Sequence, residues 1–231
     1  MKEFRFAVRQ TVPIFFTYVF IGIAFGILMS DAGYGVAFSA AAAVFIFAGS
    51  MQLVMVPMLA SGASLLTLAL TALLINARHI FYGLGFIEKF RRMGPRYPYM
   101  VMALTDETYS ILCSVRYDAG LDDNKCAFYI AMLNHLYWIL GCILGACAGS
   151  FLPFDMRGIE FSATALFLVV VVNQWRQYRT KLPFVTAAFC ALGFFFLLGK
   201  ENFLLPTLFS CLAILLLLRG PIEKKEGMPD A

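Results

Sequence analysis

The stretch ASLLTLALTALLINARHIFYGLGFI, residues 63–87, decides the fold class of this chain. It is an apolar run long enough to cross the hydrocarbon core of a bilayer as one helix. Its second half nevertheless contains Asn76, Arg78 and His79. Ionisable groups inside a membrane are costly, and they usually face the interior of a helix bundle. The stretch therefore predicts a membrane span that contributes to a functional site.

The composition of the whole chain agrees with this stretch. Of its 231 residues, 61% are hydrophobic and only 14% are charged, whereas soluble domains are roughly half apolar and about one quarter charged. We therefore predict an all-α polytopic membrane protein in the lipid bilayer, without a soluble domain of useful size. The net charge of +4 needs no nucleic acid to explain it, because Lys and Arg collect in the loops, as expected for cytoplasmic loops.

Apolar segments follow one another along most of the sequence and predict about six to eight membrane segments. They lie at residues 12–30, 36–60, 63–87, 99–117, 126–150, 158–175, 182–199 and 203–218. We interpret residues 1–11 as a cytoplasmic N-terminus, residues 12–218 as a single membrane transport domain and residues 219–231 as a flexible tail.

An internal repeat is suggested by two similar stretches. GVAFSAAAAVFIFAGSMQ begins at Gly35, and GIEFSATALFLVVVVNQ begins at Gly158. The possible repeats are residues 12–117 and 126–218, an organisation found in many secondary transporters. Chance similarity between two spans rich in alanine and valine is the alternative.

The basic clusters favour an inverted arrangement of these repeats. If segments 36–60 and 158–175 are re-entrant or broken, each repeat crosses the membrane three times and every basic cluster faces the cytoplasm. AGSMQ at 48–52 is a candidate for such a break. The clusters are Lys2, Arg5 and Arg9; Lys89, Arg91, Arg92 and Arg96; Arg176, Arg179 and Lys181; and Arg219, Lys224 and Lys225.

Polar residues recur inside the predicted spans. Asn76 and His79 share a helix face, whereas Arg78 points about 100° away from His79. Asp106 and Glu107 lie about seven residues into the next span, about 10 Å deep. We expect one of them to pair with Arg78, either in a polar cavity or as a purely structural ion pair.

Further polar residues extend the predicted cavity to other segments. His135 alone is better interpreted as a hydrogen-bonding residue between helices than as a ligand. The glycines Gly141, Gly145 and Gly149 form a ridge that should pack closely against a helix of this chain or of a partner. The remaining candidates for substrate binding or proton coupling are Gln52, Asn134, Glu160 and Gln174.

Several kinds of chemistry lack their sequence motifs. There is no HExxH or HxxxH spacing for zinc, no GxSxG for a serine hydrolase and no P-loop. We therefore expect no metal, no cofactor and no ATP hydrolysis, and we interpret the chain as a transporter and not as an enzyme.

Four motifs in this order resemble the AzlC-type branched-chain amino acid permeases. They are FAGSMQ (47–52), NARHIFYG (76–83), TDETY (105–109) and GIEFSATALF with NQWR (158–176). The resemblance extends from about residue 4 to the end. It implies a multi-pass subunit of the bacterial inner (cell) membrane that exports branched-chain amino acids and confers resistance to toxic analogues such as azaleucine. It also implies a small membrane partner of the AzlD type.

The polar residues suit an amino acid zwitterion. Asn76, Arg78 and His79 could bind the carboxylate, and Asp106 or Glu107 the ammonium group. His79 or a buried carboxylate could carry a proton, which predicts proton-coupled export of leucine, isoleucine and valine. Three alternatives stay open: transport of another small amino acid or analogue, a membrane enzyme that uses the carboxylates and His79, and a scaffold that does not transport.

Overall fold

The computed structural model describes residues 1–151, 168, 171–172, 175–176, 179–220 and 222. In these residues the regular structure is helical, and they contain no strand. The helices are α1 (Lys2–Asp31), α2 (Val36–Phe45), α3 (Gly49–Ala60), α4 (Leu65–Arg91), a 3₁₀ turn (Gly94–Arg96), α5 (Tyr97–Met102), α6 (Asp106–Ser114), α7 (Asp123–Phe151), α8 (Leu182–Asn202) and α9 (Leu204–Leu217).

Within this described part of the chain, three helices are long and apolar enough to cross a membrane. They are Lys2–Asp31, Asp123–Phe151 and Leu182–Gly199. The pair Leu65–Ile80 and Tyr82–Arg91, bent by 62°, makes a fourth if it is one span. The chain is thus a helical multi-pass membrane protein, while the number of six to eight segments and the inverted repeats stay predictions.

The two long helices α1 and α7 form the centre of one compact unit, which comprises Met1–Ala63 and Ile75–Ala163. They meet through glycines, because Gly22 and Gly26 of α1 lie against Gly141 and Gly145 of α7. A Cβ atom on Gly141 would lie 2.7 Å from the carbonyl oxygen of Val19. The predicted glycine ridge therefore packs against a helix of the same chain, as small residues do where membrane helices approach closely.

The predicted segment 36–60 is broken into two helices. α2 ends at Phe45 and α3 begins at Gly49. The break therefore covers residues 46–48, and its last residue, Ala48, is the first residue of AGSMQ. Phe47 has a φ of 41°, a backbone conformation that non-glycine residues rarely adopt. Helices of this length rise only about 15–18 Å, so neither crosses a bilayer alone. This agrees with the predicted break, and re-entry from one side stays a prediction.

The predicted segment 99–117 is also broken, although its sequence pattern predicts one continuous helix. α5 ends at Met102, and α6 begins at Asp106. The hydroxyl of Thr105 caps α6 by accepting a hydrogen bond from the backbone N–H of Thr108. Asp106 and Glu107 are therefore not in the middle of a long helix. They occupy a first helical turn, where the helix dipole favours negative charge.

The second compact unit comprises Ser64–Leu74 and Thr164–Ala231. In its described residues, α8 contains a kink at Gly199, whose φ is 75°. The hydroxyl of Thr207 in α9 donates a hydrogen bond of 3.5 Å to the carbonyl oxygen of Cys190 in α8. α8 and α9 thus contact each other within this unit and are joined at residue 203.

Candidate functional site

Arg78 links the starts of two helices in the first unit. One of its terminal nitrogens, Nη2, lies 2.7 Å from Oδ2 of Asp106, the first residue of α6. The same nitrogen donates a hydrogen bond of 3.1 Å to Oγ of Ser50, the second residue of α3. The ion pair that the sequence predicted is therefore present, and its partner is Asp106, not Glu107. The two side chains are 38% and 36% exposed, while Nε of Arg78 and Oδ1 of Asp106 are buried.

Glu107 belongs to a separate chain of hydroxyl groups. The Tyr18 hydroxyl donates to Oε2 of Glu107 at 2.6 Å and lies 2.7 Å from Oγ1 of Thr105. Thr105 donates to Thr108 at 3.1 Å, and the Asn134 amide nitrogen also donates to Thr108 at 3.1 Å. This network joins α1, α6 and α7 around one carboxylate.

Gln52 is held at the start of α3. Its side-chain oxygen Oε1 accepts a hydrogen bond of 3.0 Å from the indole nitrogen of Trp138 and one of 3.2 Å from the backbone N–H of Ala48. Trp138 in turn packs against Tyr18, with ring centroids 5.6 Å apart. The residues around Gln52 thus contact those around Glu107 through aromatic rings.

His135 connects helices, as the sequence predicted. Its Nε2 lies 3.3 Å from the carbonyl oxygen of Ala43, and its Nδ1 lies 3.2 Å from the Tyr99 hydroxyl. Its ring stacks on Phe47, with centroids 4.3 Å apart. With both ring nitrogens and one face occupied, His135 supports the break between α2 and α3.

The other predicted site residues are not brought into this network by hydrogen bonds. Among the described residues, neither Asn76 nor His79 has a side-chain hydrogen bond, and the His79 ring contacts Tyr82 at 5.8 Å between centroids. Glu160 and Gln174 lie outside the described residues. The described part of the chain also holds no group of three His, Cys, Asp or Glu side chains that could bind a metal ion.

Four buried polar atoms of the site have no hydrogen-bond partner among the described residues. Two are donors, Nε2 of Gln52 and Nε of Arg78, and two are acceptors, Oδ1 of Asp106 and Oδ1 of Asn134. Buried polar atoms without partners are rare in native proteins, and each requires an explanation.

Tyr18, Thr105, Thr108 and Trp138 are among the site residues that were not predicted from the sequence. Thr105 and Thr108 could have been found, because a threonine followed by an acidic pair is a common signal for the start of a helix. Tyr18 and Trp138 lie in apolar runs and gave no signal, because aromatic residues are common in membrane helices.

These features define a multi-pass membrane protein with an ion pair and a polar network at broken helices. Residues 13–152 match the family described as "AzlC protein", a range that contains every residue of the network. The chain belongs to the AzlC family, and as a member it is a membrane transport protein and not an enzyme.

Curated relatives agree over most of the chain. It is 34% identical over 223 residues to the "Branched-chain amino acid transport protein AzlC" of Bacillus subtilis, covering 96% of this chain and 88% of the relative. It is 34% identical to an "Uncharacterized membrane protein" of Helicobacter pylori, covering 96% and 98%. It is 28% identical to the "Inner membrane protein YgaZ" of Escherichia coli, covering 78% and 76%. No solved structure matches the chain.

Proposed function

We propose that this protein exports leucine, isoleucine and valine across the bacterial inner membrane, driven by protons and together with a small AzlD-type subunit. Similarity to a relative that is named for branched-chain amino acid transport supports the substrate class. The resemblance of the sequence motifs supports the direction and the partner. One structural observation carries the proposal: the Arg78–Asp106 ion pair lies at the starts of two broken helices.

The substrate is an amino acid because the site offers groups of both signs. An α-amino acid needs donors for its carboxylate and acceptors for its ammonium group, and the four unpartnered atoms of the site supply two of each. Asp106 has one oxygen on Arg78 and the other without a partner, which suits an ammonium group. Phe47 and Met51, both buried beside the start of α3, provide apolar surface for a branched side chain.

The proton is carried by Glu107. Its carboxylate is bound by the Tyr18 hydroxyl, which has one proton and two acceptors within reach, Glu107 and Thr105. When Glu107 is ionised, Tyr18 donates to it. When Glu107 is protonated, Glu107 donates to Tyr18, and Tyr18 can turn its own proton to Thr105. Protonation at Glu107 thus reorganises the hydroxyl chain next to Asp106, whereas His79 contacts no such chain.

Efflux measurements test this proposal. Cells that lack their own branched-chain exporters would express this chain, the small partner, both or neither, and would be loaded with leucine through a leucine-containing dipeptide. We expect rapid leucine and valine efflux only when both proteins are present, and loss of that efflux when an ionophore collapses the proton gradient. Growth in the presence of azaleucine should likewise require both proteins.

The alternatives give different results. Efflux of another amino acid, with leucine and valine unchanged, would assign a different substrate to the site. Unchanged efflux in every arm, with both proteins present in the membrane, would contradict transport by this pair. Efflux that persists without a proton gradient would contradict the role of Glu107.

A further inference from the structure

The start of α3 provides several unused hydrogen-bond donors. The first backbone N–H groups of an α-helix have no carbonyl partner within the helix, and Ala48 at the N-cap position contributes no side-chain cap. α3 follows the break at Phe47 within the first unit, and Phe47 and Ala48, which precede the helix start, are both buried. Such helix starts attract negatively charged groups.

Gln52 provides a second, independent observation at the same place. Its side chain is 0% exposed. Its oxygen is fixed by hydrogen bonds from Trp138 and from the backbone N–H of Ala48, the N-cap residue. The amide nitrogen, on the same carbon as this oxygen, is therefore held beside the helix start. It has two N–H groups and no acceptor among the described residues.

Arg78 adds positive charge to the same turn. It donates to Ser50, two residues before Gln52. The same nitrogen, Nη2, also binds Asp106. The Nε–H group of Arg78 has no acceptor among the described residues. The first turn of α3 therefore combines backbone donors, a fixed amide and a nearby guanidinium group, which together suit a small anionic group such as a carboxylate.

We propose that the first turn of α3 and Nε2 of Gln52 bind the carboxylate of the transported amino acid. This inference rests on the proposed function and refines it. The sequence assigned the carboxylate to Asn76, Arg78 and His79; the present proposal keeps Arg78 close to the carboxylate, through its hydrogen bond to Ser50, and adds the donors of α3 and Gln52. The ammonium group then lies towards the unpartnered oxygen of Asp106.

Gln52→Glu is a sharp test because it is nearly isosteric. The carboxylate of Glu can still accept hydrogen bonds from Trp138 and Ala48, and a negative charge in a first helical turn favours the helix. In the Glu variant, a carboxylate oxygen replaces the amide N–H donor. A negative charge then faces the substrate carboxylate. Gln52→Met is the second variant: it removes the donor without adding charge, and because it also removes the acceptor of Trp138 and Ala48, its melting temperature is measured beside its binding.

Binding would be measured with the full chain and its partner in proteoliposomes, with radiolabelled leucine. Leucinol, which keeps the ammonium group and the side chain but has an alcohol in place of the carboxylate, would be the competing probe. We expect leucinol to bind the wild-type protein at least about 10-fold more weakly than leucine, since a hydrogen bond to a charged group is lost. Gln52→Glu should weaken leucine binding by about 10-fold or more, Gln52→Met should weaken it less, and neither should change leucinol binding.

The outcomes separate this inference from the proposed function. If the wild-type protein binds no branched-chain amino acid, the proposed function fails. If it binds leucine and leucinol equally, or if both variants bind leucine as the wild type does, the carboxylate site is wrong while the function stands. The comparison of leucine with leucinol on the wild-type protein shows whether the carboxylate is recognised, and either Gln52 variant that folds shows whether it is recognised at the start of α3.

Discussion

Gly145→Ala should strongly destabilise this protein, because α7 contacts the backbone of α1 at that position. A Cβ atom on Gly145 would lie 2.7 Å from both the carbonyl carbon and the Cα atom of Ile23, and closer still to its carbonyl oxygen. Carbon atoms in good contact are about 3.5–4.0 Å apart, so the two helices would have to separate by about 1 Å. Backbone atoms cannot rotate away as a flexible side chain can. We therefore expect a loss at the upper end of the range for overpacking, about 3 kcal/mol.

The assay is thermal unfolding of the purified protein in detergent. The readout is the fraction of protein that stays monodisperse in size-exclusion chromatography after heating. Gly85→Ala is the control, since a Cβ atom at Gly85 in α4 would have nothing within 4 Å and alanine favours a helix by about 1 kcal/mol over glycine. Gly145→Ala should melt well below the wild type, and Gly85→Ala at or above it. If Gly145→Ala unfolds at the wild-type temperature, the close approach of α1 and α7 is incorrect.

Three further predictions concern transport and topology. Arg78→Ala should lower the amount of protein in the membrane and abolish leucine efflux, because Asp106 is left without its cation. Adding Asp106→Asn should restore the amount of protein but not efflux. Normal efflux in the single variant would show that the pair is not part of the site. Glu107→Gln should keep leucine–leucine exchange in proteoliposomes and lose efflux driven by a pH gradient, while His79→Gln should retain both; the reverse pattern would assign the proton to His79. Arg92→Cys, in a background without native cysteines, should resist impermeant thiol reagents added outside intact cells, and labelling from outside would favour eight simple crossings over inverted repeats.

Much of the fold could be predicted because apolar length is a direct physical requirement of the bilayer. α1, α4, α7 and α8 fall within or around the apolar runs of the sequence. The breaks were harder to predict: the basic clusters indicated one in segment 36–60, and nothing in the sequence indicated the one at residues 103–105. Residues 46–48 and 103–105 are as apolar as their neighbours or nearly so, and hydropathy does not report where a helix is interrupted.

The site was predicted in part for a similar reason. Charged residues inside spans stand out, so Arg78 and Asp106 were found and their pairing was expected. The hydroxyl chain through Tyr18 was not, because its partners come from α1 and α6, which are far apart in sequence. Such contacts depend on how the helices pack, and a single sequence does not report this.

The glycine contact between α1 and α7 also limits how the protein can move. Where two backbones touch, one helix cannot slide or roll past the other without a clash, so we expect this pair to move as one rigid body during transport. Opening the site alternately to the two sides of the membrane then falls to the interrupted helices, whose breaks at residues 46–48 and 103–105 can act as hinges. Arg78 holds both hinged helix starts together, so a solute that displaces it would release two moving parts at once.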